Sequence, residues 1–228
     1  FALFALLMGV PPQAAFAAAG DVVTDLSKLS NSKVYNIKSV RGYLLYSANY
    51  TGKLAGSAGS GVKDAGTASA TAAAQQFAIY TVGGKHFLYS VGAKKFVSSN
   101  GNYESTPNTE LSITATGKTD YPWMFKLGSN TINMQASGGD AAGCVVNSWA
   151  TADDGNRLTI VEATLDEATD IESPMVPLLQ NVYAGYVAQL KAANGMKYFY
   201  HDASDAINSL PATAPATKAE LETAIANL

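Results

Sequence analysis

The side chains best placed to do chemistry lie between Asp140 and Asn156, in the stretch DAAGCVVNSWATADDGN. Asp140, Asn147, Trp149, Asp153 and Asn156 bring carboxylates, amides and one large ring close together in sequence. Such a set suits binding more than bond-breaking. Carboxylates and amides make directed hydrogen bonds to hydroxyl groups, and a ring face offers an apolar platform. A plainer reading stands beside it: Asp153-Asp154-Gly155-Asn156 has the residue types of a β-turn, and Trp149 reads equally as core.

Catalytic chemistry finds less material. Cys144 is the single cysteine and sits in an apolar run, where an inert thiol is the default. A cysteine nucleophile would need a base such as His86 brought to it by the fold. Gly56-Ser57-Ala58-Gly59-Ser60-Gly61 imitates a phosphate loop, but Val62 stands where the lysine belongs. Asp120, Asp140 and Asp153 could supply a carboxylate pair for glycoside hydrolysis only across a cleft, and each lies in turn-like sequence. Two histidines, His86 and His201, leave little material for His-based zinc chemistry, and one cysteine excludes a multi-cysteine metal site. No cofactor and no metal are expected.

Composition narrows the classes further. The 228 residues are 47% hydrophobic and 14% charged, enough apolar material for a packed core. Fifteen basic residues stand against eighteen acidic ones with no basic block, so a nucleic-acid partner is not expected. Residues 1–20 carry no charge. Phe1–Val10 is a short apolar run, and Ala15-Phe16-Ala17 is a small-x-small cleavage site. That is the pattern of a partial secretory signal peptide, too short for a permanent membrane span. It predicts a secreted, periplasmic or cell-surface protein with no membrane attachment after cleavage.

The elements that must position these side chains fall into two parts. Residues 33–163 read as short strands separated by Gly, Asn and Asp clusters. Residues 52–74, rich in Gly, Ala, Ser and Thr, read as a long flexible loop. Beyond 164 the period becomes helical. Ser173-Pro174 starts a helix whose stripe is Leu179, Val182, Tyr183, Tyr186, Val187 and Leu190, and Asn194-Gly195 ends it. A weaker helix covers Ala203–Leu210, and Thr217-Lys218-Ala219-Glu220 is a capping box for a third. That last pattern meets the end of the sequence in mid-helix, which is the expectation for the N-terminal part of a longer protein.

Internal repetition decides the expected fold. Three openings look alike: Tyr35–Gly42 leading to YLLYS, Phe87–Gly92 leading to KFVSS, and Ile132–Gly138 leading to CVVNSW. Three closings also look alike: QQFAI at 75–79, PWMFKL at 122–127 and NRLTIV at 156–161. Three four-stranded units are too few for a propeller but can close as a β-trefoil, a six-strand barrel capped by three hairpins. The domains expected are a signal at 1–20, a mainly-β trefoil at 21–165 and a helical segment or spacer at 166–228.

The QQF of the first closing is similar to the Gln-x-aromatic signature of ricin-type β-trefoil lectins. The layout also resembles trefoil modules of exported multidomain enzymes of Bacteroidetes. That resemblance implies a lectin-like, carbohydrate-binding module without catalysis of its own, with a glycan as partner and a downstream catalytic domain in the same chain. By position, Asp140 matches the family's sugar-binding Asp, while Trp149 and Asn156 match its aromatic residue and its Asn. Asn147 and Asp153 complete the candidate site. Two other expectations remain open: that the chain begins a secreted glycoside hydrolase or peptidase, or that it is a structural or protein-binding trefoil. The first unit (Arg41, Tyr43, Tyr46, Asn49) and the second (Lys94, Lys95, Asn100, Tyr103) lack the family's Asp in the expected turn, and Trp123, in phase with Phe125 and Leu127, reads as core.

Overall fold

A computed structural model describes residues 20–47, 54–56, 73–134, 145–146, 151–165, 169–195 and 201–228. It divides the chain into two compact units, one holding the described strands and running to Ile171, the other running from Glu172 to Leu228. The signal-peptide expectation for 1–20 falls on residues outside the described ones, apart from Gly20.

Among its described residues, the compact unit that ends at Ile171 has twelve strands. They are β1 (Val34–Ser39), β2 (Leu45–Ser47), β3 (Leu54–Gly56), β4 (Phe77–Val82), β5 (Lys85–Ser90), β6 (Lys95–Val97), β7 (Tyr103–Glu104), β8 (Leu111–Ala115), β9 (Trp123–Leu127), β10 (Asn130–Ile132), β11 (Val145–Val146) and β12 (Leu158–Ala163). Six of them close a ring in the order β1, β4, β5, β8, β9, β12 and back to β1, every neighbour antiparallel. The other six form the hairpins β2–β3, β6–β7 and β10–β11. A barrel made from the first and last strand of each four-stranded unit, with one hairpin per unit, is a β-trefoil.

The register carries the three-fold pattern. Strands from neighbouring units pair along their length: β4–β5 from Phe77↔Ser90 to Val82↔Lys85, β8–β9 from Leu111↔Leu127 to Ala115↔Trp123, and β12–β1 from Ala163↔Val34 to Leu158↔Ser39. Within a unit, first and last strands meet at one residue pair only: Tyr35↔Phe77, His86↔Leu111 and Trp123↔Leu158. The barrel is therefore held mainly by pairing between units, and no unit can close its apolar face alone.

Period-two alternation fills the barrel. Tyr35 and Ile37, Phe77 and Ile79, Phe125 and Leu127, and Leu158 and Ile160 are buried in one cluster with Leu88 and Leu111. Each such side chain contributes roughly 1.5–3 kcal/mol of burial. The β4–β5 turn is Gly83-Gly84, with φ of 61° and 75°. Two successive positive φ values belong to the turn that follows strand twist, and glycine adopts them without strain.

Three expectations are corrected by this topology. PWMFKL at 122–127 is not the closing of the second unit but β9, the opening of the third. The second unit closes on β8, LSITA, where only Leu111 is fully buried and Ile113 packs partly against the core. Its sparse apolar content made β9, with Trp123, Phe125 and Leu127 in phase, look like the closing instead. Ile132–Gly138 consequently begins on β10 rather than opening a unit. Residues 54–56 of the Gly/Ala/Ser/Thr tract are strand β3, because Leu45, Tyr46 and Ser47 pair with Gly56, Ala55 and Leu54. Small residues leave no alternation to read, and the partner strand supplies the order.

The other compact unit, Glu172–Leu228, contains α1 (Met175–Gly195), α2 (His201–Asn208) and α3 (Lys218–Ala226) among its described residues. Along α1, Leu179, Tyr183 and Val187 are buried, while Val182, Tyr186 and Leu190 are half-buried. The Asn194 amide donates to the Ser204 carbonyl and to Asn208 Oδ1 of α2, each at 3.1 Å. Lys191 Nζ donates to the Leu210 carbonyl at 3.0 Å. The capping box forms at α3: Thr217 Oγ1 accepts from the Glu220 N–H, and the Glu220 carboxylate accepts from the Thr217 N–H. Among the described residues, no helix is long and apolar enough to cross a membrane.

Candidate functional site

The loop that enters β12 is built on Asp153. Its Oδ1 accepts from the backbone N–H groups of Gly155 (2.7 Å) and Asn156 (3.2 Å). Asn133, just beyond β10, donates its Nδ2 to both carboxylate oxygens, at 3.2 Å to Oδ1 and 3.1 Å to Oδ2. Oδ1 thus has three donors and Oδ2 one, so Oδ2 keeps accepting capacity. Asp153 is half-buried.

Asn156 locks the same loop from inside. It is fully buried, its Oδ1 accepts from the Asp153 N–H at 2.7 Å, and its Nδ2 donates to the Thr151 carbonyl at 2.8 Å. The Met134 N–H donates to the Gly155 carbonyl at 2.9 Å, tying the loop to the strand end that carries Asn133. A Cβ at Gly155 would come 2.0 Å from Asn133 Oδ1, so only glycine fits between them. The neighbouring Asp154 pairs with Arg157, and its carbonyl accepts from the Arg41 N–H at 3.2 Å. Through Arg41 the loop rests on the β1–β2 turn of the first unit.

Of the five residues singled out by sequence, the structure brings Asp153 and Asn156 together. Asp140, Asn147 and Trp149 lie outside the described residues, as does Cys144. Asn156 is enclosed, so it acts by holding Asp153 in place rather than by touching a ligand. Asn133 was not singled out. Its sequence surroundings, Ile132-Asn133-Met134, carry no turn signature. Its place beside Asp153 follows from the Met134 N–H bond to the Gly155 carbonyl and from the pairing of β10 with β9 and of β9 with β12.

Several of the remaining candidates take structural places, and Asn49 lies outside the described residues. Trp123 is buried, and its Nε1 donates to the Val23 carbonyl at 2.7 Å. Tyr43 is core. Asn100 caps its own turn, accepting from the Ser98 hydroxyl and the Asn102 N–H. In QQF, Gln76 is buried and donates to the Thr164 carbonyl at 2.8 Å, joining the first unit to the end of β12. His86 Nδ1 lies 2.8 Å from Thr81 Oγ1, and burial lowers its pKa, with Glu110 opposing. Among the described residues, no three His, Cys, Asp or Glu side chains converge on a common point.

No protein-family profile and no curated protein matches the chain. Solved structures do. The Rhizoctonia solani agglutinin matches at a TM-score of 0.44 and 15% identity, over 66% of this chain and 99% of that one. A Macrolepiota procera ricin B-like lectin in complex with lactose matches at 0.43 and 16%, over 60% and 99%. A GlcNAcα1-4Gal releasing endo-β-galactosidase from Clostridium perfringens matches at 0.43 and 10%, over 58% of this chain and 33% of that one. The chain therefore spans about a third of the length of the galactosidase it matches. The trefoil assignment rests on the strand pairing described above, independently of these likenesses.

Proposed function

We propose that the chain is a non-catalytic carbohydrate-binding module, with its sugar site on the third unit of the trefoil. The observation that carries this is the Asp153 carboxylate. It is fixed by three donors on Oδ1 and keeps Oδ2 able to accept a ligand hydroxyl, on a half-buried loop. A carboxylate held in advance accepts a sugar hydroxyl without a further ordering cost. Asp140, Asn147 and Trp149 complete the site in this reading: Asp140 and Asn147 bind hydroxyls and the Trp149 ring stacks on the sugar face. Asn156 and Asn133 are positioning residues.

In the same reading the protein is exported by residues 1–20 and holds a downstream glycan-degrading domain near its substrate. Tethering raises the effective concentration of substrate without any new contact. A purely structural trefoil is the second reading. It is favoured by Asn156, whose amide is consumed within the loop. A glycan-array screen of the full chain, with Asp140→Ala and Trp149→Ala beside it, separates the two. Binding that both variants lose supports the sugar site. Silence of the folded protein across the array supports the structural trefoil.

A further inference from the structure

A concavity whose lining includes no residue of 151–157 lies on the outer side of the barrel where β12 meets β1. It has a volume of about 640 Å³, within the roughly 300–1,000 Å³ of small-molecule sites. Its floor is the outward face of the two strands, with Asn36 and Lys38 from β1 and Thr159 from β12. Val22, in the segment before β1, and Asp120 and Tyr121, in the turn before β9, add its walls.

These walls are fixed in advance. The Gly20 N–H donates to the Glu162 carbonyl at 2.7 Å, and the Val23 N–H donates to the Ile160 carbonyl at 2.8 Å. In the turn before β9, the Thr116 N–H donates to the Pro122 carbonyl and its Oγ1 to the Tyr121 carbonyl, both at 2.7 Å. Three features of the lining are unusual. Lys38 is a charged side chain only 8% exposed. Thr159 is 6% exposed, and its buried hydroxyl has no hydrogen-bond partner. Val22, at 45% exposure, is the large hydrophobic residue left in the open among the described residues.

We infer that this cleft is a second binding site, and that it takes a small neutral polyhydroxylated molecule of the mono- or disaccharide class. The inference rests on the reading of the chain as a carbohydrate-binding module, but it does not use the Asp153 loop. Lys38 and Asp120 place opposite charges on the lining, which favours a ligand with no net charge. Amide, ammonium, carboxylate and hydroxyl groups offer both donors and acceptors to a ring of hydroxyls. Val22 and the Tyr121 ring supply the apolar surface that the C–H face of a sugar covers. An unpartnered hydroxyl gains most when a ligand arrives, since it is already desolvated.

The test is an amide-shift titration of the isotope-labelled full chain with galactose, N-acetylglucosamine and mannose, each alone. Saturable shifts at Val22, Lys38, Asp120 and Thr159 with any of the three are the expected result. Tyr121→Ala and the isosteric Thr159→Val should each weaken that binding roughly tenfold, the scale of one lost hydrogen bond or its stacking equivalent. Shifts confined to residues 151–157 would overturn the cleft while leaving the proposed function standing. No shift anywhere with the three sugars would also overturn it, and the glycan array would then decide the function separately. Cleft shifts unchanged in both variants would overturn the assignment of these residues.

Discussion

Asn133 Nδ2 reaches both oxygens of the Asp153 carboxylate, joining the end of β10 to the loop that enters β12. One amide thereby couples the third unit's hairpin to its last barrel strand. Gly155 lies between the two residues, and the packing there leaves no room for a methyl group.

Gly155→Ala should destabilise the protein by about 1–3 kcal/mol, the scale of overpacking in a filled site. The new Cβ meets the buried Asn133 side chain, which must move and release Asp153. Urea denaturation of the variant checks this as a lower midpoint at an unchanged slope. An unshifted midpoint would mean that the loop has slack absent from this packing.

Trp123→Phe should cost about 1–3 kcal/mol, because it leaves the buried Val23 carbonyl without its donor at 2.7 Å. The segment before β1 depends on that bond. Hydrogen exchange should therefore accelerate at the Val23 and Glu162 amides, whose bonds to Ile160 and Asp21 hold the segment on β12. Equal protection in variant and parent would show that the segment is held without Trp123.

Alkaline pH should unfold the trefoil through its buried phenols. Burial pushes the Tyr35 hydroxyl up to about 12, with the Ser30 N–H opposing and the Glu162 carboxylate adding to the rise. Burial also raises Tyr80, helped by Tyr89 and Asp170, and raises Tyr89, helped by Asp170. Between pH 10 and about 12 the unfolded Tyr35 phenol is ionised while the folded one keeps its proton. The unfolded state binds fewer protons there, so stability is full below pH 10 and falls as pH rises through this window. Tyr35 alone gives a slope of about 1.4 kcal/mol per pH unit. Denaturation at several alkaline pH values should show a shallower decline for Tyr35→Phe, and parallel declines would contradict it.

Much of the trefoil was legible in the sequence because barrel strands place large apolar residues two apart on the face that enters the barrel. This holds even in β1, where both faces are buried. Tyr35 and Ile37, Phe77 and Ile79, and Leu158 and Ile160 all announced their inward faces. The failures came where that signal weakened. β8 exposes most of its side chains, so the stronger alternation of β9 took its place as the second closing. β3 is Leu-Ala-Gly and has no pattern to read apart from its partner β2. The helices were legible from caps and spacing, Thr217 and Glu220 above all.

The candidate site was legible only in part, for a related reason. Asp153 and Asn156 stood out because Asp, Gly and Asn cluster there, but that cluster says nothing of which side chain faces inward. Asn156 turned out to be fully buried, and Asn133, the partner of Asp153, comes from the strand end beyond β10. The cleft beside Lys38 and Thr159 was invisible for the same reason. Its lining is assembled from four separate stretches that only barrel closure brings together.

The most direct measurement is a calorimetric titration of a glycan that scores on the array into the parent protein and into Asp153→Asn. Both proteins should first show the same far-UV spectrum. The expected result is a saturable heat for the parent and at least a tenfold weaker affinity for the variant, the loss of one charge-assisted hydrogen bond. Equal affinities in the two folded proteins would contradict a sugar site built on the Asp153 carboxylate.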